Sequence, residues 1–461
     1  MPSPLRAIRQ PTSGSLWWDW GCSSSVWFGS DSRTKVARKA LPYNGIKVAG
    51  QDGHPSVDEL KRNEGASESG PDVATPLPPH AGARLYFVDY LRAALVCLVT
   101  LHHTAISYGG LGSFYYTEPA TDSAASGLLS LFTNFNQAWF LGAFFLLSAY
   151  FTPGSFDRKG ARRFLKDRLV RLGIPLLVFF FVINPLTIYV AFYHMTPAQL
   201  VANGITSPMG LNWTFISQAV GTGPLWFVEM LLIFEFGYAL WRVARSSNGS
   251  SGAARPPPSY RKVAEFILVL TVTSYLLWIV APLNAQVLGF PSFFDVPQYL
   301  GLFIAGLAAA RGDWLAKLTD SMAKRVFAIA LIASATLLPL AVIGTDIPSL
   351  GWGSVVGYGS LSSAFYALWT STFAVGMTMF AISFFRRHLN SSGRLWSFAA
   401  KNFYGAYILQ ATAIVTISAL VLYQVQLESL LKFALAAVMI LPLTWGLAYL
   451  ARRIPLADRV L

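Results

Sequence analysis

The sequence predicts an all-α integral membrane protein of about ten transmembrane helices, with both termini in the cytoplasm. Three observations predict it. Of the 461 residues, 54% are hydrophobic and only 12% charged, against about 25% charged in soluble domains. Apolar stretches of roughly 20 residues, enough to cross a bilayer, follow one another from residue 84 onward. Lys and Arg collect in alternate loops, the pattern of the positive-inside rule. The net charge of +13 is therefore read as loop asymmetry, with no nucleic-acid partner expected. The 33 Phe, 19 Tyr and 14 Trp suit a protein whose solvent is the lipid bilayer.

Residues 1–83 are expected to form a disordered tail. The run KRNEGASESGPDVATPLPPHAGAR at its end is rich in Pro, Gly, Ser and charge, a composition that does not bury a core. The LWWDWGCSSSVWF patch (Leu16–Phe28) is either part of that extension or a contact with a membrane surface. No apolar run follows the early basic residues, so no secretory signal is expected. The two cysteines are Cys22 and Cys97. Cys97 lies inside the first apolar segment, which argues against a disulfide framework. No zinc-type spacing appears, and no metal is expected.

A membrane domain is read over residues 84–455, with a short tail at 456–461. Its ten spans are Leu85–Tyr108, Gly127–Phe151, Leu169–Tyr193, Pro224–Val243, Val263–Pro282, Val296–Ala310, Val326–Gly344, Leu361–Phe385, Phe403–Tyr423 and Lys432–Ala451. The loops support the count. RKGARRFLKDRLVR follows the second span, and Arg242, Arg245, Arg255, Arg261 and Lys262 follow the fourth. Arg311, Lys317, Lys324 and Arg325 follow the sixth. Arg386, Arg387, Arg394 and Lys401 follow the eighth, and Arg452, Arg453 and Arg459 the tenth. The intervening loops hold almost no Lys or Arg, with Lys432 the exception. No transporter-type sequence repeat is visible.

The first span, YFVDYLRAALVCLVTLHHTAISYGG, carries Asp89, Arg92, His102 and His103. Arg92 and His103 are eleven positions apart, about three turns plus 20°, so they project from one face, separated by about 16 Å along the axis. Asp89 lies three residues before Arg92 and can pair with it. His102 points about 80° away and is read as a bystander. Intramembrane ionisable groups are costly and usually face a functional cavity. The alternative is that Asp89 and Arg92 snorkel to one interface and His103 sits at the other.

At this point the chain resembles the membrane acyltransferase 3 family. FVDYLRAALVCLVTLHH is similar to the family's opening signature, an acidic residue, then an Arg, then a His after ten intervening residues. Asp89, Arg92 and His103 match it in order and spacing. NQAWFLGAFFLLSAYFTPGSFDRKGARRFLKDRLVRLGIPLLV resembles the second and third helices with their basic loop. GPLWFVEMLLIFEFGYALW resembles the Leu-Trp helix with its Glu. KNFYGAYILQ resembles a motif that usually reads Ser-Tyr-Gly-Ile-Tyr-Leu-Leu-His. The resemblance covers roughly residues 84–455. Three positions depart from the pattern. Gln410 stands at the last motif's usual His, Ala149 at a usual Gly, and Glu229 follows a sub-branch placement of the Glu.

The resemblance implies transfer of an acyl group, commonly acetyl, from acyl-CoA as co-substrate to an acceptor hydroxyl of a small metabolite or carbohydrate, with no tightly bound cofactor. Arg162, Arg163, Lys166, Arg168 and Arg171 could meet the coenzyme's phosphates, although positive-inside topology alone also accounts for them. His103 suits a general base, because its pKa lies near working pH. Arg92 would hold a phosphate or carbonyl, or shape the pocket with Asp89. Glu229, in an apolar run, would orient His103 or pair with an Arg. Asn136 and Gln137 would hydrogen-bond across helices or line the acceptor pocket. Gln298 and Tyr299 are further cavity candidates. Trp226 and Tyr407 read as packing. Asn212 opens an external NWT sequon, whereas the sequons at Asn248 and Asn390 fall on the cytoplasmic side.

Two other readings stay open. A transporter or flippase of a polar metabolite would use the same intramembrane charges. A non-catalytic partner would keep the fold without the chemistry, an option that Gln410 leaves open. A hydrolase is disfavoured, because no Gly-x-Ser-x-Gly elbow sits in an α/β context.

Overall fold

A computed structural model describes residues 85–460, apart from 208–209, 211, 246–255, 282–289, 291–292, 344–356, 358, 392 and 456. The expectations for residues 1–83, for the Leu16–Phe28 patch and Cys22 within them, and for Asn248 lie outside the described residues. No β-strand occurs among the described residues. Nine helices there are long and apolar enough to cross a membrane, and the chain is a multi-pass integral membrane protein.

These helices are α1 (Tyr86–Ser107), α4 (Thr152–Ala191), α7 (Gly223–Ala244), α8 (Tyr260–Val280), α9 (Phe293–Gly312), α10 (Asp320–Ile343), α11 (Leu361–His388), α12 (Arg394–Val421) and α13 (Ser429–Ala451). Burial orders them. Two-thirds of the most apolar window is buried in α1, α11 and α12 (67% each), against 22% in α8 and 28% in α10 and α13. The first three form the interior. The others present rows of exposed Leu, Ile and Val, as helices bathed in lipid do.

The second of the ten expected spans is not one helix. It divides into α2 (Ser123–Gln137) and α3 (Phe140–Tyr150), so the continuous spans among the described residues number nine. The backbone leaves helical geometry at Trp139, with φ −144° and ψ −33°. A break inside an apolar bundle needs substitute partners for its backbone groups. Gln298 supplies one, donating to the Ala138 carbonyl at 2.9 Å. Asp122 caps the start of α2, accepting from the Ala125 N–H at 2.8 Å; this hydrogen bond holds the exposed Asp122 carboxyl below its usual pKa.

Helix α4 is long but irregular. Gly160 interrupts it at φ 69°, ψ 166°, and π-turns occupy Leu169–Gly173 and Phe179–Ile183. Pro175 has no N–H to offer the carbonyl four residues earlier, that of Arg171. The Tyr404 hydroxyl of α12 donates to that carbonyl at 3.1 Å. A sequence-encoded defect in one helix thus fixes a side chain of another. Two short helices, α5 (Pro197–Ala202) and α6 (Trp213–Ala219), follow α4. Thr196 and Asn212 cap them, so the Asn212 side-chain oxygen is engaged by the Phe215 N–H.

Candidate active site

Arg92 lies one and a half turns into α1, where it points at the end of α3. Its Nη2 donates to the Leu147 carbonyl at 2.8 Å, in the last turn of α3 where helical partners run out. Its guanidinium lies 4.8 Å from the centre of the Phe151 ring, a cation–π contact. Asp89, one turn earlier, attracts it coulombically. A hydrogen bond, a ring face and a nearby carboxylate hold the charge in the bundle, so Arg92 does not snorkel away to water.

Beside Arg92 opens a cavity of about 540 Å³. Arg158, Lys159, Arg168 and Arg171 of α4 bring four more cations to its wall, against the acids Asp167, Glu235 and Asp458. Its apolar wall includes Val96, Phe227, Leu231, Phe403 and Tyr407. Glu235 is fully buried. Its carboxylate pairs with Arg168 Nε at 3.1 Å and accepts from the Thr152 hydroxyl at 3.3 Å. A buried carboxylate without such partners would be strongly disfavoured.

His103 lies seven residues beyond Val96, about 10 Å further along α1. Its Nδ1 is 3.1 Å from the Gln410 side-chain oxygen. An amide oxygen only accepts, so this contact is a hydrogen bond when the proton is on Nδ1, the tautomer that leaves the Nε2 lone pair free. The ring stacks on Phe114 at 4.6 Å, nearly parallel. His102 is buried against Phe140, ring centres 5.1 Å apart. Gln410 is fully buried, and its amide nitrogen has no hydrogen-bond partner among the described residues.

The cavity and His103 are linked through α12. Tyr407 lines the cavity, and Gln410, one turn on, meets His103. Tyr407 also ties α12 to α7. The Tyr407 hydroxyl donates to the Pro224 carbonyl, and Phe227 meets the Tyr407 ring edge-on at 6.0 Å. On the far side of His103, residues 109–122 carry Phe114 over the ring. That loop is tied down at several points. Tyr115 donates to Asn184, Lys432 meets the Glu118 carboxylate at 2.6 and 2.8 Å, and Thr121 and Ser429 exchange two hydrogen bonds. Lys432, the lone cation of its loop, is thus consumed inside the protein. Gly223 sits at φ 45°, and a Cβ there would run into the Tyr115 hydroxyl, so this corner favours glycine.

The remaining expected site residues fall elsewhere. Glu229 is half-buried and makes no hydrogen bond or ion pair with a described residue; it meets neither His103 nor an Arg. The neighbouring acid Glu235 does the pairing expected of it. Spacing carries that signal, because Val228, Leu231 and Glu235 fall at i, i+3 and i+7 on one helical face. Arg163 is exposed and off the cavity, whereas Arg168 and Arg171 line it. Gln137 donates to Asp295 at 2.9 Å and to Tyr299 at 3.2 Å. With Gln298 they form a buried polar cluster at the α2–α3 break. The Asn136 amide nitrogen, in the same turn, is buried without a partner among the described residues. Tyr407, expected as packing, also lines the cavity.

Residues 85–449 match the family described as Acyltransferase domain, acyltransferase 3. The chain is also similar to curated proteins named Glucans biosynthesis protein C. The one from Salmonella schwarzengrund (strain CVM19633) is 26% identical over 197 residues, 40% of this chain and 46% of that protein. The one from Escherichia coli (strain K12) is 31% identical over 99 residues, 22% of this chain and 24% of that protein. The matched stretch thus spans less than half the length of these relatives.

Proposed function

The chain belongs to the acyltransferase 3 family of membrane proteins, and we propose that it moves an acyl group, acetyl by default, from acyl-CoA to a hydroxyl of a carbohydrate or small metabolite. The observation that carries this reading is the alignment of a cation-lined cavity with the His103–Gln410 pair along α1 and α12. Arg158, Lys159, Arg168 and Arg171 suit the coenzyme's phosphates. The aromatic inner wall suits the apolar arm that carries the thioester. The reading puts this end of the bundle in the cytoplasm, where the positive-inside rule also puts it.

In the proposed reaction the acceptor hydroxyl gives its proton to His103 Nε2 as its oxygen attacks the thioester carbonyl. The tetrahedral intermediate collapses with cleavage of the C–S bond. The imidazolium returns the proton to the departing thiolate, leaving an ester and free coenzyme A. Gln410 holds the Nδ1–H throughout. In this reading the Tyr407–Pro224 contact opens to let the thioester reach His103, and its closing would limit hydrolysis by water. The glucans in the relatives' name make a carbohydrate hydroxyl the first acceptor to test.

One feature favours a second reading. A helix broken at α2–α3 and lined by Gln137, Asp295 and Asn136 is what transporters use to bind polar cargo. One experiment separates the two. Membranes holding wild type or His103→Ala receive radiolabelled acetyl-CoA and longer acyl-CoAs, with glucans and host metabolites as acceptors. Thiol release and label in an acceptor, with wild type only, are expected. Label that never leaves the thioester, with any acceptor, would move the reading to transport.

A further inference from the structure

A second groove, of about 530 Å³, opens between the start of α12 and the end of α13. Arg394, Lys401, Arg452 and Arg453 line it, together with Phe398 and Tyr449, and no acidic residue does among the described residues. None of the four cations pairs with a carboxylate among the described residues. Arg452 donates to the Lys401 carbonyl at 2.5 Å, which pulls the two chain segments together and brings the charges into one place. Its Nε is buried with no acceptor among the described residues, an unfilled donor beside the groove. The N-terminal turn of α12 adds the positive end of a long helix.

Positive-inside topology accounts for basic residues at this end of the bundle, but not for four that converge on one groove with an unsatisfied donor. The flanks identify the ligand. Leu395 is 77% exposed, Leu450 59% and Ile454 60%, and the Tyr449 ring packs beside Phe398, centres 5.8 Å apart. Anion-binding chemistry bordered by lipid-facing apolar surface and an interfacial Tyr fits a headgroup whose acyl chains run down the outside of α13. We propose that this groove binds the phosphate headgroup of an anionic glycerophospholipid, at a site separate from the Arg92 cavity and independent of the proposed reaction.

The test uses the full chain purified in detergent and offered phosphatidylglycerol or phosphatidylcholine, with bound lipid counted by native mass spectrometry. Wild type should retain phosphatidylglycerol well below the concentration at which it retains phosphatidylcholine. Lys401→Ala with Arg453→Ala removes two exposed charges and should weaken that retention roughly thirtyfold. Arg325→Ala, a basic residue off the groove, should not change it and controls for general loss of charge. Equal retention of the two lipids, or full retention by the double variant, would overturn the proposal. So would displacement of phosphatidylglycerol by millimolar coenzyme A or inorganic phosphate, which would make the groove a site for soluble phosphates.

Discussion

His103 Nδ1 stands 3.1 Å from the side-chain oxygen of Gln410. Gln410 stands where the motif that KNFYGAYILQ resembles usually has a His, so the position offers an acceptor in place of a titrating group. An acceptor is what a general base at Nε2 needs behind it. Gln410→Leu should lower kcat roughly a hundredfold or more, because the tautomer and ring orientation are no longer fixed. KM for acyl-CoA should stay near wild type. Gln410→His should retain most of the activity. Steady-state kinetics in reconstituted membranes check all three, and a fully active Leu variant would remove the positioning role.

His103→Ala should abolish transfer without loss of membrane expression. Arg92→Lys should fail too, because an ammonium cannot reproduce the planar contact with Phe151 while donating to the Leu147 carbonyl. Turnover near wild type in Arg92→Lys would reduce Arg92 to a point charge.

The cavity wall sorts the basic loop. Arg171→Ala should raise KM for acyl-CoA several-fold, and high salt should do the same in wild type by screening the cations. Arg163→Ala, exposed and off the cavity, should leave KM unchanged. An equal effect of the two variants would mean that loop charge as a whole, and not the cavity, attracts the donor.

The fully buried Glu235 pairs with the partly buried Arg168. Arg168→Met leaves the carboxylate without its cation and should cost on the order of 3–5 kcal/mol, read as a lower unfolding temperature in detergent. Glu235→Gln keeps a hydrogen-bonding group beside Thr152 and should cost less. The same order is not expected at Glu229, where Glu229→Gln should leave stability close to wild type.

Gly223→Ala should destabilise the corner over His103, because φ 45° strains any side chain and the new Cβ meets Tyr115. Gly127→Ala is the contrast, since a Cβ there meets nothing. Thermal unfolding of the two variants gives the comparison, and equal stability would mean the loop yields at no cost.

Much of this architecture was legible in advance. The apolar runs gave nearly every span, because a membrane helix satisfies its own backbone hydrogen bonds and needs only length and hydropathy to form. The Arg92 and His103 spacing was equally legible, since both lie on one regular helix. The break at Trp139 was not, because hydropathy runs unchanged across it. What compensates it comes from Gln298, about 160 residues away in sequence.

The sequence by itself therefore determined the helices, the basic loops and the candidate pair on α1. Tertiary structure alone decided who pairs with whom: Glu235 and not Glu229 with an Arg, Gln410 with His103, Tyr404 with the carbonyl that Pro175 leaves open. The physical reason is that hydropathy and periodicity act within a single helix. Pairing depends on the depth and rotation at which two helices meet, and those are set by packing across the whole bundle.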